Sequence, residues 1–416
     1  MHTRNRPVVL LVAEAVTLAH FARIVTLAKA LDASSYEVVV ASDPRYSGLE
    51  GPLAFRFHPV RSIPSGEFER ALARGKPLYD AETLAAYVEE DLALIRDVKP
   101  NLIVGDFRLS LAISAPVAGV PYAAVVNAYW SPYARIRYPV PDLPMSRLLG
   151  VGVAQRLFDL VRPAAFRLHS RPLNQVRRRY NLAPLGRDLR TSYTWGDYTL
   201  YADAPELVPM APLPSNHRYL GAPLWSARTS LPDWWDRIPT DRPPVLVSLG
   251  SSGRSDLLPT ILAALSDLPN PVLVATAGRI DLKDIPPNAR VAAYLPLASA
   301  LQRSALIICN GGSLTTYQAM DAGAPVLGIC SNMDQLLNMS AIERMGAGRL
   351  LRAACVSATG LREAVHALLN NASYRQAAKA AGARFRRSDA RRSFRAFVSE
   401  VLDSPTSAKG DGACAQ

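Results

Sequence analysis

Short apolar runs alternate with helical stretches along most of the chain. "VVLLVA" near the start leads into a stretch from Ala19 to Leu31 whose apolar residues recur at helical spacing. "YEVVVAS" follows, then a second helical pattern from Ala81 to Val98, then "NLIVGDF", a short helix and "PYAAVVNA". Apolar strands rich in β-branched residues, each separated by a helix, call for a parallel sheet covered on both faces. The rhythm restarts at "PPVLVSLGSS" (Pro243 to Ser252). It continues through a helix at Leu257 to Leu265, "PVLVATAG", "VAAYLP" and "ALIICNGG". The intervening "SARTSLPDWWDRIPTDRPP" is rich in proline and charge and has no period, which marks a linker. The pattern predicts two α/β domains of similar build, over 1–225 and 243–385, joined by a linker over 226–242. The last helices, from Ser357 to about Leu402, are arginine-rich and amphipathic, and the final one, over 386–402, is expected to pack back on the N-terminal domain. The small, polar tail over 403–416 is expected to be disordered.

The totals agree with this division. The chain has 416 residues, 49% of them hydrophobic, so each half is long enough to bury its own core. No run of about 18 apolar residues occurs, which excludes a transmembrane helix. Leu102 to Trp130 comes closest, and Asp106 and Arg108 break it. The opening "MHTRNRPVVLLVAEAVTLA" has the outline of a signal peptide, but Glu14 interrupts it, and a first strand from Val8 to Val12 is the better reading. Cys309, Cys330, Cys355 and Cys414 lie far apart without metal-ligand spacing. They read as buried thiols in a reducing compartment, which implies the cytoplasm.

The net charge is +12, concentrated at Arg167 to Arg190 and Arg384 to Arg395. Such charge suits nucleic acid, an anionic membrane surface or a phosphorylated substrate, and equally a solvated helix face. The basic residues are not interleaved with stacking aromatics, which argues against nucleic acid. A peripheral contact with anionic membrane stays among the expectations.

Chemistry concentrates at strand ends. Asn310, Gly311, Gly312 and Ser313 follow an apolar run and precede a helix. Ligands of open α/β sheets bind beyond the carboxyl ends of the strands, and a helix start offers N–H groups and a positive dipole end to a phosphate. Thr315 and Thr316 add hydroxyls. A tight strand-to-helix turn would explain the two glycines equally well. "SLGSSG" (Ser248 to Gly253) is a second such turn, and two could clamp a diphosphate. Neither has the spacing of a dinucleotide fingerprint or a P-loop. In "SNMDQLLN", Asp334 and Gln335 offer adjacent acceptors and a donor for vicinal hydroxyls, or Asn332 or Asp334 simply caps a helix.

"NGGSLTTYQAMDAGAPVLGICSNMDQLLNM" resembles the donor-binding signature of GT-B glycosyltransferases, above all the UDP-glycosyltransferases that modify small lipophilic molecules, including macrolides and other natural products. That family usually reads H-x-G-x-x-S, an acidic residue, A-G-V-P, then D/E-Q-x-x-N. The resemblance covers the whole C-terminal domain and, more weakly, two places in the N-terminal one. It implies two Rossmann-like domains facing across a cleft. By position, Tyr294 would stack on the base, and Asn310 stands where a histidine contacts the diphosphate. Gly311, Gly312 and Ser313 to Thr315 would form the phosphate-binding helix start, with Ser251 and Ser252 on the facing loop. Gln318 stands where a glutamate holds the ribose, and Asp334 and Gln335 would bind the sugar. Asn310, Gln318 and Leu297 depart from the usual pattern, which leaves both UDP and dTDP as donor nucleotides.

The resemblance also gives the N-terminal domain a role. A histidine at the first helix start is the family's general base, and here "AHFARIVTLAKAL" supplies His20. Asp106, at the end of "LIVGD", would orient it through the other ring nitrogen. Taken singly, His20 reads as a surface histidine and Asp106 as a helix cap. In "NAYWSPYARIRY", Tyr129, Trp130, Tyr133 and Tyr138 would line an apolar acceptor pocket, although any one of them suits ordinary packing. The expected activity is inverting transfer of a sugar from a nucleotide-diphosphate sugar to a hydroxyl of a small hydrophobic acceptor. Neither cofactor nor metal is implied, and the linker would act as a hinge. The alternatives are an epimerase of the same fold, a non-catalytic partner or activator subunit, and a glycolipid transferase at a membrane surface.

Overall fold

The computed structural model describes residues 6–403, so Cys414 and the expected disordered tail after Asp403 lie outside the described residues. Seven parallel strands form the N-terminal sheet: β1 (Val8–Ala13), β2 (Glu37–Ser42), β3 (Arg56–Pro59), β4 (Leu102–Asp106), β5 (Tyr122–Val126), β6 (Tyr198–Tyr201) and β7 (His217–Tyr219), in the order β3-β2-β1-β4-β5-β6-β7. Six more, β8 (Val245–Ser248), β9 (Val272–Ala275), β10 (Ala289–Ala292), β11 (Leu306–Cys309), β12 (Val326–Cys330) and β13 (Gly348–Arg352), form a second parallel sheet in the order β10-β9-β8-β11-β12-β13.

The first sheet carries α1 (Leu18–Ala28), α2 (Ser65–Arg74), α3 (Ala81–Val98), α4 (Leu111–Ala118), α5 (Pro144–Arg179) and α6 (Leu189–Thr194). The second carries α7 (Leu258–Leu265), α8 (Leu297–Arg303), α9 (Ser313–Asp321), α10 (Met333–Arg344), α11 (Ala358–Asn370) and α12 (Ala372–Phe385). After it, α13 (Ala390–Asp403) returns to the first sheet, where Phe394, Phe397 and Val398 pack with Val9, Leu11 and Ile24. This helix starts four residues later than the sequence pattern suggests, because Asp389 receives the backbone N–H groups of Arg391 and Arg392 and caps it.

The central strands β4, β5, β9, β11 and β12 are buried throughout, which is why they read as apolar runs rather than alternations, while the edge strands β3, β7, β10 and β13 are partly exposed. The charges that broke those runs are buried too. Arg108 is 0% exposed. It donates to Glu14 (3.2 Å), Asp91 (3.1 Å) and Glu90 (2.8 Å) and stacks on the Tyr87 ring. A paired guanidinium can sit in a core where an unpaired one cannot. Of the predicted buried thiols, Cys309 and Cys330 are buried and Cys355 is exposed, because it closes a short turn after β13.

The linker over 226–242 contains no strand, but it is not a loose tether. Trp235 and Ile238 are buried, and the Arg303 guanidinium stacks on Trp235. One apolar cluster, running from Val126 and Tyr129 to Leu246 and Tyr317, is continuous across both halves. Among the described residues, no helix is long and apolar enough to cross a membrane.

Candidate active site

Both sheets are doubly wound, so each opens a crevice where the strand order reverses: between β1 and β4, and between β8 and β11. The two crevices meet in one cavity of about 270 Å³. His20 and Asp106 line it from one side. Ser251, Ser252, Asn310, Gly312, Ser313, Thr315, Asp334 and Gln335 line it from the other.

On the first side, His20 Nδ1 lies 2.7 Å from Asp106 Oδ1. A contact that short with a carboxylate needs the proton on Nδ1, which leaves Nε2 as a free acceptor. Arg23, one helical turn after His20, completes the group. Its Nε donates to Asp106 Oδ2 (2.6 Å) and one terminal nitrogen to Oδ1 (2.8 Å), while the other terminal nitrogen donates to Asn127 Oδ1 (2.6 Å). Arg23 also approaches His20 Nδ1 at 3.0 Å, but that nitrogen's proton already serves Asp106, so the carboxylate is the acceptor for both. Burial alone would raise the Asp106 carboxyl; Arg23, then His20, outweigh it and hold it below its usual range. Phe107 stacks flat on His20, with ring centroids 4.9 Å apart, and fixes the ring plane. Phe107 has a backbone φ of 61°, the left-handed region that bulky residues rarely occupy.

On the second side the loop and helix-start groups are neutral, and Asp334 is the one carboxylate in the lining there. Gly312 precedes α9, and no side chain caps that helix. Gly311 takes φ 82°, and a Cβ there would meet Met339 and Cys330 at 2.6 and 2.7 Å, so only glycine fits the turn. Asn338, fully buried on α10, braces it by donating to Gly311 O and Thr316 Oγ1, both at 2.8 Å. Asn310 joins the two loops: its amide donates to Ser252 Oγ (3.1 Å) and accepts from Gly312 N (3.1 Å). Asn332 caps α10 by accepting from Gln335 N, which leaves Asp334 free of that duty.

The other expected residues divide. Asp334 accepts from Trp130 Nε1 (2.8 Å), a contact between the two halves, and Trp130 lines the cavity. Gln335 spends its amide oxygen on Ser331. Gln318 is buried outside the cavity lining. It donates to Leu314 O of its own helix and leaves its amide oxygen without a partner. Tyr294 is 39% exposed beyond β10 and also stands outside the lining. Tyr129 and Tyr133 are not in the cavity lining: Tyr129 is buried in the core and Tyr133 packs against His217. The apolar wall comes instead from α2 and α5, through Phe68, Leu72, Phe158 and Phe166, and from Tyr193.

Arg23, Asn127 and this wall were missed by the sequence reading. Arg23 had a signal: an arginine inside an apolar helix, three residues from a histidine, shares its face. The wall had none, because α5 is apolar on both sides.

Residues 259–387 match the model of the erythromycin biosynthesis protein CIII-like C-terminal domain. A PGL/p-HBAD biosynthesis glycosyltransferase of Mycobacterium tuberculosis is 51% identical over 375 residues, 90% of this chain and 88% of that protein. A PGL/p-HBAD biosynthesis rhamnosyltransferase of Mycobacterium bovis is 52% identical over 370 residues, 89% of this chain and 82% of that one. In fold, a spinosyn rhamnosyltransferase solved with thymidine diphosphate matches with a TM-score of 0.66 at 19% identity, over 94% of this chain and all of that one. The chain is therefore a GT-B glycosyltransferase and belongs to the family of the PGL/p-HBAD biosynthesis glycosyltransferases.

Proposed function

We propose that the protein transfers a 6-deoxyhexose of the rhamnose class from a dTDP-sugar to a hydroxyl of a lipophilic acceptor, with inversion at the anomeric carbon. The observation that carries the reading is the free Nε2 of His20, oriented by Asp106 at 2.7 Å, in the cavity that Gly312, Ser313 and Thr315 also line. His20 Nε2 takes the acceptor's proton as its oxygen attacks the anomeric carbon, and the diphosphate leaves with the bonding pair. The first-turn N–H groups of α9, which no helix can satisfy internally, and the Ser252 hydroxyl receive the leaving charge. A single displacement with one base inverts the centre. The sugar class rests on the 52% identical relative named a rhamnosyltransferase, and the nucleotide on the neighbour solved with thymidine diphosphate. The apolar wall of Phe68, Phe158 and Phe166 supports a lipophilic acceptor.

The test is transfer by purified protein from dTDP-rhamnose and from UDP-glucose to a lipophilic phenol, with the product's anomeric configuration read by NMR. Retained configuration would overturn the mechanism, and preference for UDP-glucose would overturn the donor. Transfer at the wild-type rate by His20→Ala would remove the base.

A further inference from the structure

α5 buries one apolar face and exposes another. Its inner side contributes Phe158 and Phe166 to the cavity. On its outer side, Val153, Leu157, Leu160, Val161 and Leu168 recur at helical spacing and are all exposed, Leu160 by 78%. These are five of the eleven exposed large hydrophobic side chains among the described residues, and two more, Leu148 and Leu149, lie just before the break at Gly150. A stripe at this spacing normally faces a core, and a contiguous exposed one marks a docking surface.

The charge around the stripe identifies what docks. The helix sequence holds eight arginines and one acid, Asp159. Asp159 already accepts from Arg137 and Gln155. Arg156, Arg167 and Arg171 are exposed along the edge of the stripe, and Arg74 and Lys76 are exposed at the end of α2, where His169 of α5 meets Gly75. A second copy docked face to face would bring these arginines together. A surface that is apolar within and anionic without satisfies both features. The cavity opens on this side, where the exposed Gly75 and Lys76 are part of its lining.

We infer that the outer face of α5 seats the enzyme on an anionic lipid bilayer, with the mouth of the acceptor cavity turned toward the membrane. The purpose of this contact rests on the lipophilic acceptor proposed above, but the binding itself does not. Leu157, Leu160 and Val161 enter the acyl boundary, while Arg156 and Arg167 meet lipid phosphates. The lipophilic acceptor then reaches Phe158 and Phe166 without crossing water.

Sedimentation with vesicles of equal phosphatidylglycerol and phosphatidylcholine tests this directly, without donor or acceptor. Wild-type protein is expected to pellet with these vesicles, less with pure phosphatidylcholine, and less at high ionic strength. Leu157→Ser/Leu160→Ser is expected to weaken binding by roughly tenfold at any salt, and Arg156→Glu/Arg167→Glu to remove the preference for phosphatidylglycerol. All these positions are exposed outside the cavity, so both variants should fold and glycosylate a short water-soluble phenol at the wild-type rate. No vesicle binding, or binding that neither variant changes, overturns the inference. So does a wild-type dimer in analytical ultracentrifugation that Leu157→Ser/Leu160→Ser dissociates, since the face would then join two copies. If the wild type fails to glycosylate a lipophilic phenol while pelleting as expected, the acceptor reading fails and the membrane contact stands.

Discussion

The two halves share one topology but treat buried polarity in opposite ways. Among the described residues of the N-terminal half, the buried set includes Glu14, Arg23, Asp91, Asp106, Arg108 and Asp203. Among the described residues of the C-terminal half, every buried polar side chain is a Ser, Thr, Asn or Gln. The difference fits two kinds of work. Moving a proton requires groups that change charge, and these must be compensated when buried. Holding a permanent anion requires only oriented dipoles, and a neutral seat carries no unpaired charge when it is empty.

The largest effect that would separate the halves is in turnover. His20→Ala should lower kcat by about 10²–10⁴-fold, the usual contribution of a general base, while leaving donor affinity within about twofold. Fluorescence or calorimetric titration with the nucleotide sugar, beside steady-state rates, checks both. A parallel loss of donor affinity would mean that the two crevices do not divide the work as described.

Next comes the counter-charge. Arg23 is 6% exposed and gives both of its hydrogen bonds on that side to Asp106. Arg23→Met leaves the buried Asp106 with His20 as its remaining partner and without its guanidinium counter-charge, and should cost about 3 kcal/mol of folding stability in urea. Arg23→Met/Asp106→Asn removes both charges and should recover much of that loss. If the double variant is no more stable than the single, the pair is not the unit proposed. The group extends further than the dyad. Asn127 Nδ2 donates to Asp203 Oδ1 at 2.8 Å, and Asp203 accepts from Tyr317 of α9, so one hydrogen-bonded chain runs from His20 and Asp106 to α9.

How much of this could be read from sequence follows the same divide. The strand ends were legible because buried parallel strands are unbroken apolar runs, and the residue that stops each run stands at the edge where ligands bind. His20, Asp106, Ser252, Asn310 and Asp334 came from that logic together with the resemblance. Partnerships were not legible. Nothing in the local sequence says that Arg108 and Glu14, 94 residues apart, are neighbours, so both looked like interruptions rather than a core pair. The long helix α5 escaped because Gly150 breaks its helical geometry, Pro163 and Pro172 lie within it, and its two apolar faces blur the period. Of the aromatic loop, Trp130 lines the cavity, while Tyr129 and Tyr133 lie outside its lining, in packing that a loop sequence does not encode.

The charged half should also show itself in stability against pH. Burial pushes the Glu14 carboxyl up to about 7 from its usual 4.5, against the pull of Arg108. Between those values the folded protein holds a proton that the unfolded chain has released. Stability therefore falls as pH rises through this window and stays at the lower level above it. One proton limits the slope to about 1.4 kcal/mol per pH unit. Glu14→Gln should flatten the slope between pH ~5 and ~7, since Arg108 keeps Asp91 and Glu90 as partners. Urea midpoints at three pH values suffice, and an unchanged slope in the variant would assign the titration elsewhere.

The smallest effect tests the neutral half. By the resemblance Asn310 stands where a histidine is usual, and its amide serves Ser252 and Gly312 at 3.1 Å each without any charge. Asn310, Ser252 and the start of α9 carry no titratable group, so donor affinity should stay flat from pH ~5.5 to ~8. Asn310→His places an imidazole of ordinary pKa ~6.5 beside the diphosphate, which stays fully ionised in a nucleotide sugar. Donor binding by this variant should tighten by roughly three- to tenfold as pH falls through that value, because only the protonated ring adds a charge. Titration with the nucleotide sugar at both ends of the range reads the difference. If wild-type affinity already varies with pH, a titrating group holds the donor and the contrast between the halves fails. If it is flat and the variant's is not, the amide at Asn310 is what makes the donor site indifferent to the chemistry of its neighbour.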